Sequence, residues 1–384
     1  MKTFMLIAGE PSGDLLASEL VLALRERWPD ATFIGAGGPK MAEAGVELAF
    51  DMGDFAIVGI PTPGKLLALR YVSGQLRSLA AERKPDAVIG VDYNEFNLRF
   101  AHAIKNDVRS NPRAVWDPKL VKFVSPQVWA SRPGRAKQLA ADYDLLLSIF
   151  PFEKEWFAQR VPGLRVEFVG HPMVDRIGVR SLSPVQSPES RVHSAESGQR
   201  ILLLPGSRKS ELKHHLPVML GALKLIREKL PSATAKMVLP GEELKQLASK
   251  AQPGIEIRVG NLHEALANTD LAITKTGTVT MECAFFGVPA VTMYKKAFLG
   301  LAIALGIVTV KSLTMPNLMA GEEVYPEFIQ SAATPPNIAR AAIDLLQDES
   351  RRQKMKAQLG RIVASLGEPG ASRRAAAAIS SLFA

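Results

Sequence analysis

What most constrains this chain is an alternation that runs along its whole length. Short apolar runs are separated by longer amphipathic stretches, the pattern of parallel strands joined by crossover helices. The first half offers strands at Phe4–Ala8, Thr32–Gly35, Ala87–Val91, Lys122–Ser125, Leu145–Ile149 and Val166–Val169, with helical stretches at Leu15–Trp28, Lys65–Arg83, Leu98–Asn106 and Phe152–Gln159 between them. From Ser181 to Gln199 the period is lost in Ser, Pro and Glu, and a linker or loop is expected there. The pattern then restarts with Ile201–Leu204, a helix over Glu211–Lys229, and strands at Lys236–Leu239, Glu256–Val259, Leu271–Thr274 and Ala290–Tyr294. The prediction is an α/β chain of two doubly wound domains, 1–180 and 200–366, with a C-terminal helix at about 367–384 free to pack back on the first. A length of 384 residues suits two such cores. In open parallel sheets ligands bind beyond the carboxyl ends of the strands, so the loops that follow strands are where chemistry is sought.

Composition narrows the partners. With 47% hydrophobic and 22% charged residues the chain is globular rather than disordered. Cys283 is the one cysteine, so no internal disulfide can form and a reducing cytoplasm is expected. The apolar start is interrupted by Glu10 and Asp14 before a secretory apolar region reaches full length. A net charge of +9 asks for an anionic partner: nucleic acid, a phosphorylated small molecule or an acidic membrane surface. Nucleic acid is the least favoured, because no aromatics interleave the basic residues. The tail from Arg351 carries seven basic residues against Glu368, which reads as a solvated helical face or a phosphate-contacting one. Ala297–Val310 is uncharged and flanked by lysines, but falls short of the ~20 residues that span a bilayer. It suits a packing helix or an interfacial one, and Ile57–Val72 is a second candidate for core packing or for acyl-chain or membrane contact.

Four strand-end segments carry chemistry. Gly9-Glu10-Pro11-Ser12-Gly13-Asp14 follows the first strand and can present N–H groups at a helix start, an anion- or sugar-binding geometry; Ser12 or Asp14 can equally cap that helix. Asp92 stands just past the strand Ala87–Val91, where a general base facing a cleft would be held, with helix capping as the alternative and Glu95 as a competitor. Leu204-Pro205-Gly206-Ser207-Arg208 again joins strand to helix, with Gly206 permitting close approach, Ser207 offering a hydroxyl and N–H, and Arg208 a forked cation for a diphosphate. Thr276-Gly277-Thr278 can donate to phosphate oxygens, while Glu282 suits ribose hydroxyls or simply stabilises the helix start. Two anion loops in one domain suggest a nucleotide diphosphate. His171, His193, His214, His215 and His263 are scattered without metal-ligand spacing, and His214 and His215 are taken as surface residues. No metal and no cofactor are expected.

These segments, in order, resemble the bacterial lipid-A-disaccharide synthase family. Val124-Ser125-Pro126-Gln127-Val128-Trp129-Ala130, Pro151-Phe152-Glu153-Lys154, Val169-Gly170-His171-Pro172 and Pro316-Asn317-Leu318-Met319-Ala320-Gly321 complete the likeness, which spans nearly the whole chain. It implies a GT-B fold, two Rossmann-like domains facing across a cleft, and transfer of 2,3-diacylglucosamine from its UDP conjugate to 2,3-diacylglucosamine 1-phosphate (lipid X). The anomeric configuration inverts, giving a β-1,6 disaccharide 1-phosphate and UDP. On that likeness Asp92 is the base, with Glu10 and Ser12 beside it. Gly206, Ser207, Arg208 and Thr276 to Thr278 hold the diphosphate, Glu282 the ribose, and Asn317 and Gln330 further donor groups. Gly13, Asp14 and Asn97 line the acceptor side. The likeness also implies peripheral attachment to the cytoplasmic face of the inner membrane; an oligomer is allowed but not specified.

The sequence departs from the family at Thr276, where serine is commoner, at Tyr93-Asn94-Glu95, and in the segments Lys105–Lys119 and Ser181–Gln199. The alternatives are a UDP-N-acetylglucosamine epimerase or another GT-B UDP-sugar enzyme, which need no lipid acceptor, and a non-catalytic sugar-nucleotide binder.

Overall fold

A computed structural model of the chain describes residues 1–52, 63–110, 116–181, 198–251, 255–295 and 310–384. Most of the interdomain stretch 181–199, residues 57–62 and 297–309 of the two apolar segments, residues 111–115 of the segment Lys105–Lys119, and His193 therefore lie outside the described residues. The chain divides into two compact units, Met1–Leu182 with Leu366–Ala384, and Ser183–Ser365.

The first unit holds a seven-stranded parallel sheet of β1 (Thr3–Ala8), β2 (Thr32–Gly37), β3 (Glu47–Asp51), β4 (Ala87–Val91), β5 (Lys119–Phe123), β6 (Leu145–Ser148) and β7 (Val166–Phe168), in spatial order 3-2-1-4-5-6-7. Its crossovers carry α1 (Pro11–Arg27), α2 (Pro39–Glu43), α3 (Pro63–Arg83), α4 (Asn94–Ser110), α5 (Arg135–Asp142) and α6 (Pro151–Ala158), and α7 (Pro172–Ser181) follows β7. β1 and β4 pair directly, Phe4 opposite Ala87 through Ala8 opposite Val91. Covered on both faces, they can be apolar throughout, which is why they read as continuous runs. The edge strand β3 alternates exposed and half-buried residues and escapes a search for apolar runs. β5 begins three residues before the expected Lys122 and ends at Phe123, because Val124 turns left-handed (φ 66°) and cannot continue the strand.

The second unit repeats the plan with β8 (Arg200–Leu204), β9 (Thr234–Leu239), β10 (Glu256–Val259), β11 (Leu271–Lys275), β12 (Ala290–Tyr294) and β13 (Glu327–Ile329), all parallel in the order 10-9-8-11-12-13. Its helices are α8 (Lys209–Lys229), α9 (Glu242–Ala251), α10 (Leu262–Ala267), α11 (Thr278–Phe285), α12 (Met315–Ala320), α13 (Pro335–Gln347) and α14 (Glu349–Ser365). The last helix, α15 (Ala371–Ser380), returns to the first unit and packs on α1. Backbone pairing tethers it: the His171 N–H donates to the Leu366 carbonyl (3.0 Å), the Ala371 N–H to Asp175 (3.1 Å), and Arg374 Nε to the Val169 carbonyl (2.8 Å). Part of the basic tail is thus spent inside the fold rather than on a solvated face.

Candidate active site

In the first unit the site is built where β4 ends. Asp92 (φ 45°) and Tyr93 (φ 44°) are consecutive non-glycine residues in the left-handed region, a conformation that costs roughly 1–2 kcal/mol per residue. The surroundings over-determine it. The Asp92 N–H donates to the Phe123 carbonyl (2.9 Å), and the Asp92 carbonyl accepts from Asn97 Nδ2 (2.8 Å) and Lys122 Nζ (2.5 Å). The Tyr93 ring stacks on Phe96 at 5.6 Å and occupies the space where a Cβ on residue 9 would stand, so Gly9 is required there. The turn leaves the Asp92 carboxylate half-buried in the wall of a cleft of about 650 Å³, lined also by Glu10, Tyr93, Phe96, the α3 residues Leu66 and Leu69, and Arg70, Arg77 and Arg99. Glu10 also borders a smaller cavity of about 370 Å³. Burial, then the charge on Glu10, pushes the Tyr93 phenol up. The Arg135 guanidinium, opposed by burial and helped by Arg99, holds the Glu95 carboxyl below its ordinary range, so Glu95 is engaged in ion pairs at 3.0 and 2.8 Å.

Asp14 borders the smaller cavity, but its two oxygens are occupied: they accept the N–H groups of Gly38, Lys40 and Met41 at 2.9–3.0 Å, which caps α2 and ties it to α1. Three expected roles change here. Asn97 is buried and donates from Nδ2 to the carbonyls of Ile7, Val91 and Asp92, so it holds the strand ends rather than facing the cleft. Ser12 sits exposed in the first turn of α1 and lines neither cavity. Gly13 is buried with the Asp92 Cβ 3.7 Å from the place a side chain would start, which makes it a packing position beneath Asp92.

Two buried ionisable groups were missed by sequence reasoning. Lys122 is fully buried, and burial draws its ammonium down to about 7 against an upward push from Asp92. Glu153 is fully buried and pushed up to about 7 by burial, although Trp129 Nε1 donates to it at 2.9 Å. A lysine inside the apolar run Leu120-Val121-Lys122-Phe123 was the available signal: strand alternation cannot bring it to solvent when both sheet faces are covered.

In the second unit Gly206 and Ser207 of the loop after β8, and Lys275, Thr278 and Glu282 at the β11–α11 junction, line one cleft of about 480 Å³. Gly206 (φ 129°) and Gly277 (φ 137°) take backbone conformations closed to other residues, and the helices after them, α8 and α11, start at the cleft. The Ser207 N–H donates to Glu211 (2.9 Å), whose other oxygen lies 3.4 Å from Lys275 Nζ and 3.8 Å from Arg208 Nη1. A carboxylate thus rests among one N–H and two cations, a set that matches an anion. Burial pushes the Glu282 carboxyl up to about 6, and His263 Nε2 lies 3.4 Å from it.

Here too expectations shift. The Thr276 N–H donates to the Met293 carbonyl (2.9 Å) and its side chain is buried, so of the two threonines Thr278 is the one that lines the cleft. Asn317 is buried and clasps the backbone of Val324 and Tyr325 at 2.8–3.0 Å, a loop-holding role rather than a donor contact. Gln330, left-handed at φ 53°, opens the turn after β13 and does not line that cleft. His215 is no surface residue: it is buried, its Nδ1 lies 2.7 Å from the Pro205 carbonyl and its Nε2 accepts the Lys295 N–H at 3.1 Å, which steadies the Gly206 loop from behind.

Two Rossmann-like domains, each with its candidate groups on loops beyond the strand carboxyl ends, give the chain a GT-B fold. A S. aureus protein solved with UDP aligns with TM-score 0.66 at 14% identity, covering 100% of this chain and 97% of its own. The UDP-GlcNAc 2-epimerase of Neisseria meningitidis, solved with UDP-GlcNAc, aligns with TM-score 0.65 at 11% identity over 100% of both chains. At such identities the likeness is one of fold alone. The sequence is more specific. The family profile described as lipid-A-disaccharide synthetase matches residues 4–381. Lipid-A-disaccharide synthases of Syntrophus aciditrophicus (34% identical over 389 residues, 98% of this chain and 96% of the relative) and Solibacter usitatus (35% over 395 residues, 100% and 98%) align end to end. The chain belongs to the lipid-A-disaccharide synthetase family and is a glycosyltransferase; the epimerase alternative is not favoured.

Proposed function

We propose that the chain transfers 2,3-diacylglucosamine from UDP-2,3-diacylglucosamine to 2,3-diacylglucosamine 1-phosphate with inversion. Asp92 takes the proton of the acceptor 6-hydroxyl while that oxygen attacks the anomeric carbon; the bond from that carbon to the β-phosphate oxygen breaks and its electron pair leaves on UDP. In the second unit the Gly206–Ser207 loop, Arg208, Lys275 and the Gly277–Thr278 elbow steady the departing diphosphate, and Glu282 receives ribose hydroxyls. UDP-sugar is a substrate on this reading, and neither cofactor nor metal enters it. The observation that carries the assignment is the Asp92 carboxylate, held by a strained, fully pinned turn in the wall of a cleft that pairs apolar α3 side chains with arginines. Apolar walls suit acyl chains and guanidinium groups a sugar phosphate. The UDP and UDP-GlcNAc in the titles of the structural relatives support a nucleotide-sugar donor.

Leu67 and Tyr71, one turn apart on α3, are more than 60% exposed, and with the net charge of +9 they support attachment to an anionic membrane face from the cytoplasmic side. Among the described residues no helix is long and apolar enough to cross a membrane. Incubation with both monosaccharides followed by mass spectrometry tests the function: the disaccharide 1-phosphate and stoichiometric UDP are expected, and UDP release without the acceptor, or no disaccharide, would overturn it.

A further inference from the structure

Lys122 stands out among the buried charges. It sits in the interior strand β5 with none of its surface exposed. Its Nζ donates to the Asp92 carbonyl at 2.5 Å and lies 3.4 Å from the Phe123 carbonyl, with no carboxylate in ion-pair range among the described residues. A buried ammonium met only by two carbonyls is costly, and an apolar side chain would fill the strand with less loss. The second carbonyl is informative: Phe123 also accepts the Asp92 N–H at 2.9 Å. The end of β5 therefore grips the Asp92 residue at both its N–H and its C=O, across the one turn among the described residues where two non-glycine residues in succession are left-handed.

We propose that Lys122 is a positioning residue for Asp92: its ammonium clamps the Asp92 carbonyl, fixes the left-handed turn and so aims the carboxylate into the cleft. The inference rests on Asp92 being the base.

The Asp92 carboxylate is the charged group that acts on the Lys122 ammonium. Other titratable groups on neighbouring elements are engaged elsewhere. The Tyr143 hydroxyl donates to the Asn97 carbonyl (2.9 Å), Glu153 accepts from Trp129, Asp144 accepts the Leu120 N–H at the opposite end of β5 (2.7 Å), and Asp142 is met by His102 (3.0 Å). Glu10 shares the cleft with Asp92 on the far side from β5 in the sheet order, following β1.

The test compares Lys122→Gln, which keeps a donor but loses the charge, with Lys122→Met, which loses both, each measured for kcat, KM and thermal melting. We expect kcat to fall by on the order of 10- to 100-fold in Lys122→Met and less in Lys122→Gln, with the KM for donor unchanged. Combined with Asp92→Asn, either substitution should cost little more than Asp92→Asn alone. Unchanged kcat in Lys122→Met would overturn the proposal, as would full additivity with Asp92→Asn. Loss of the melting transition in both Lys122 variants would also overturn it, assigning the lysine to the fold. Failure of the base assignment is visible separately, as an Asp92→Asn single variant that turns over like wild type.

Discussion

The two units share one sheet topology but solve the strand-end problem with opposite chemistry. In the second unit the tight turns at the cleft fall on Gly206 and Gly277, whose positive φ values need no support from neighbours. In the first unit the turn falls on Asp92 and Tyr93, with Val124 on the adjacent strand end also left-handed, and all three carry side chains. The proposed functions account for the difference. A loop that binds phosphate uses its backbone N–H groups, so glycine is free to supply the geometry. A loop that presents a base uses a side chain and cannot be glycine, so the strain is borne by surrounding contacts: the Phe123 carbonyl, Asn97, Lys122 and the bare Cα of Gly9.

That contrast can be broken experimentally, and the largest effect should come from the base. Asp92→Asn is expected to lower kcat by about 10²–10⁴-fold while UDP affinity, measured by calorimetry, stays within twofold; loss of UDP binding instead would mean that the units do not divide the work as argued. Gly206→Ala places a Cβ against the Glu211 side chain in a conformation closed to alanine. It should weaken UDP binding by roughly 10- to 100-fold through ~1–3 kcal/mol of strain, with the pH profile of kcat unmoved.

Asn97→Ala removes the donor shared by the Ile7, Val91 and Asp92 carbonyls. A loss of about 1–3 kcal/mol in stability is expected, read by denaturant melts, with kcat falling more than UDP affinity. Comparable in size is a pH effect confined to the first unit. Glu153 has its folded pKa raised from 4.5 to about 7, so the folded chain holds more protons than the unfolded one between those values. Stability is therefore lost as pH rises through that window. Glu153→Gln should remove this fall, gaining on the order of 1–3 kcal/mol at pH 8 relative to pH 5; equal melts at both pH values would sink the assignment. Ser12→Ala, exposed and outside both cavities, should change activity and stability by no more than about 0.5 kcal/mol.

How much of this was legible in the sequence differs by element. Buried central strands announce themselves as apolar runs, so β1, β4, β8 and β11 were visible, whereas the half-exposed edge strand β3 and the short β13 were not. Asp92, Gly206, Ser207, Thr278 and Glu282 do line clefts, as expected from strand-end position, which is a local property. Asn97, Asn317 and His215 were misjudged because a polar side chain near a loop looks the same whether it meets a ligand or a backbone carbonyl from a distant segment.

The sequence alone determined the two wound sheets and the family, since each follows from residue type at short spacing along the chain. Only the tertiary structure decided which polar groups remain available in the clefts. Hydrogen-bond partners such as Lys122 with Asp92 and Glu211 with Lys275 lie 30 and 64 residues apart, and burial, which sets both their cost and their charge, exists only once the chain has closed around them.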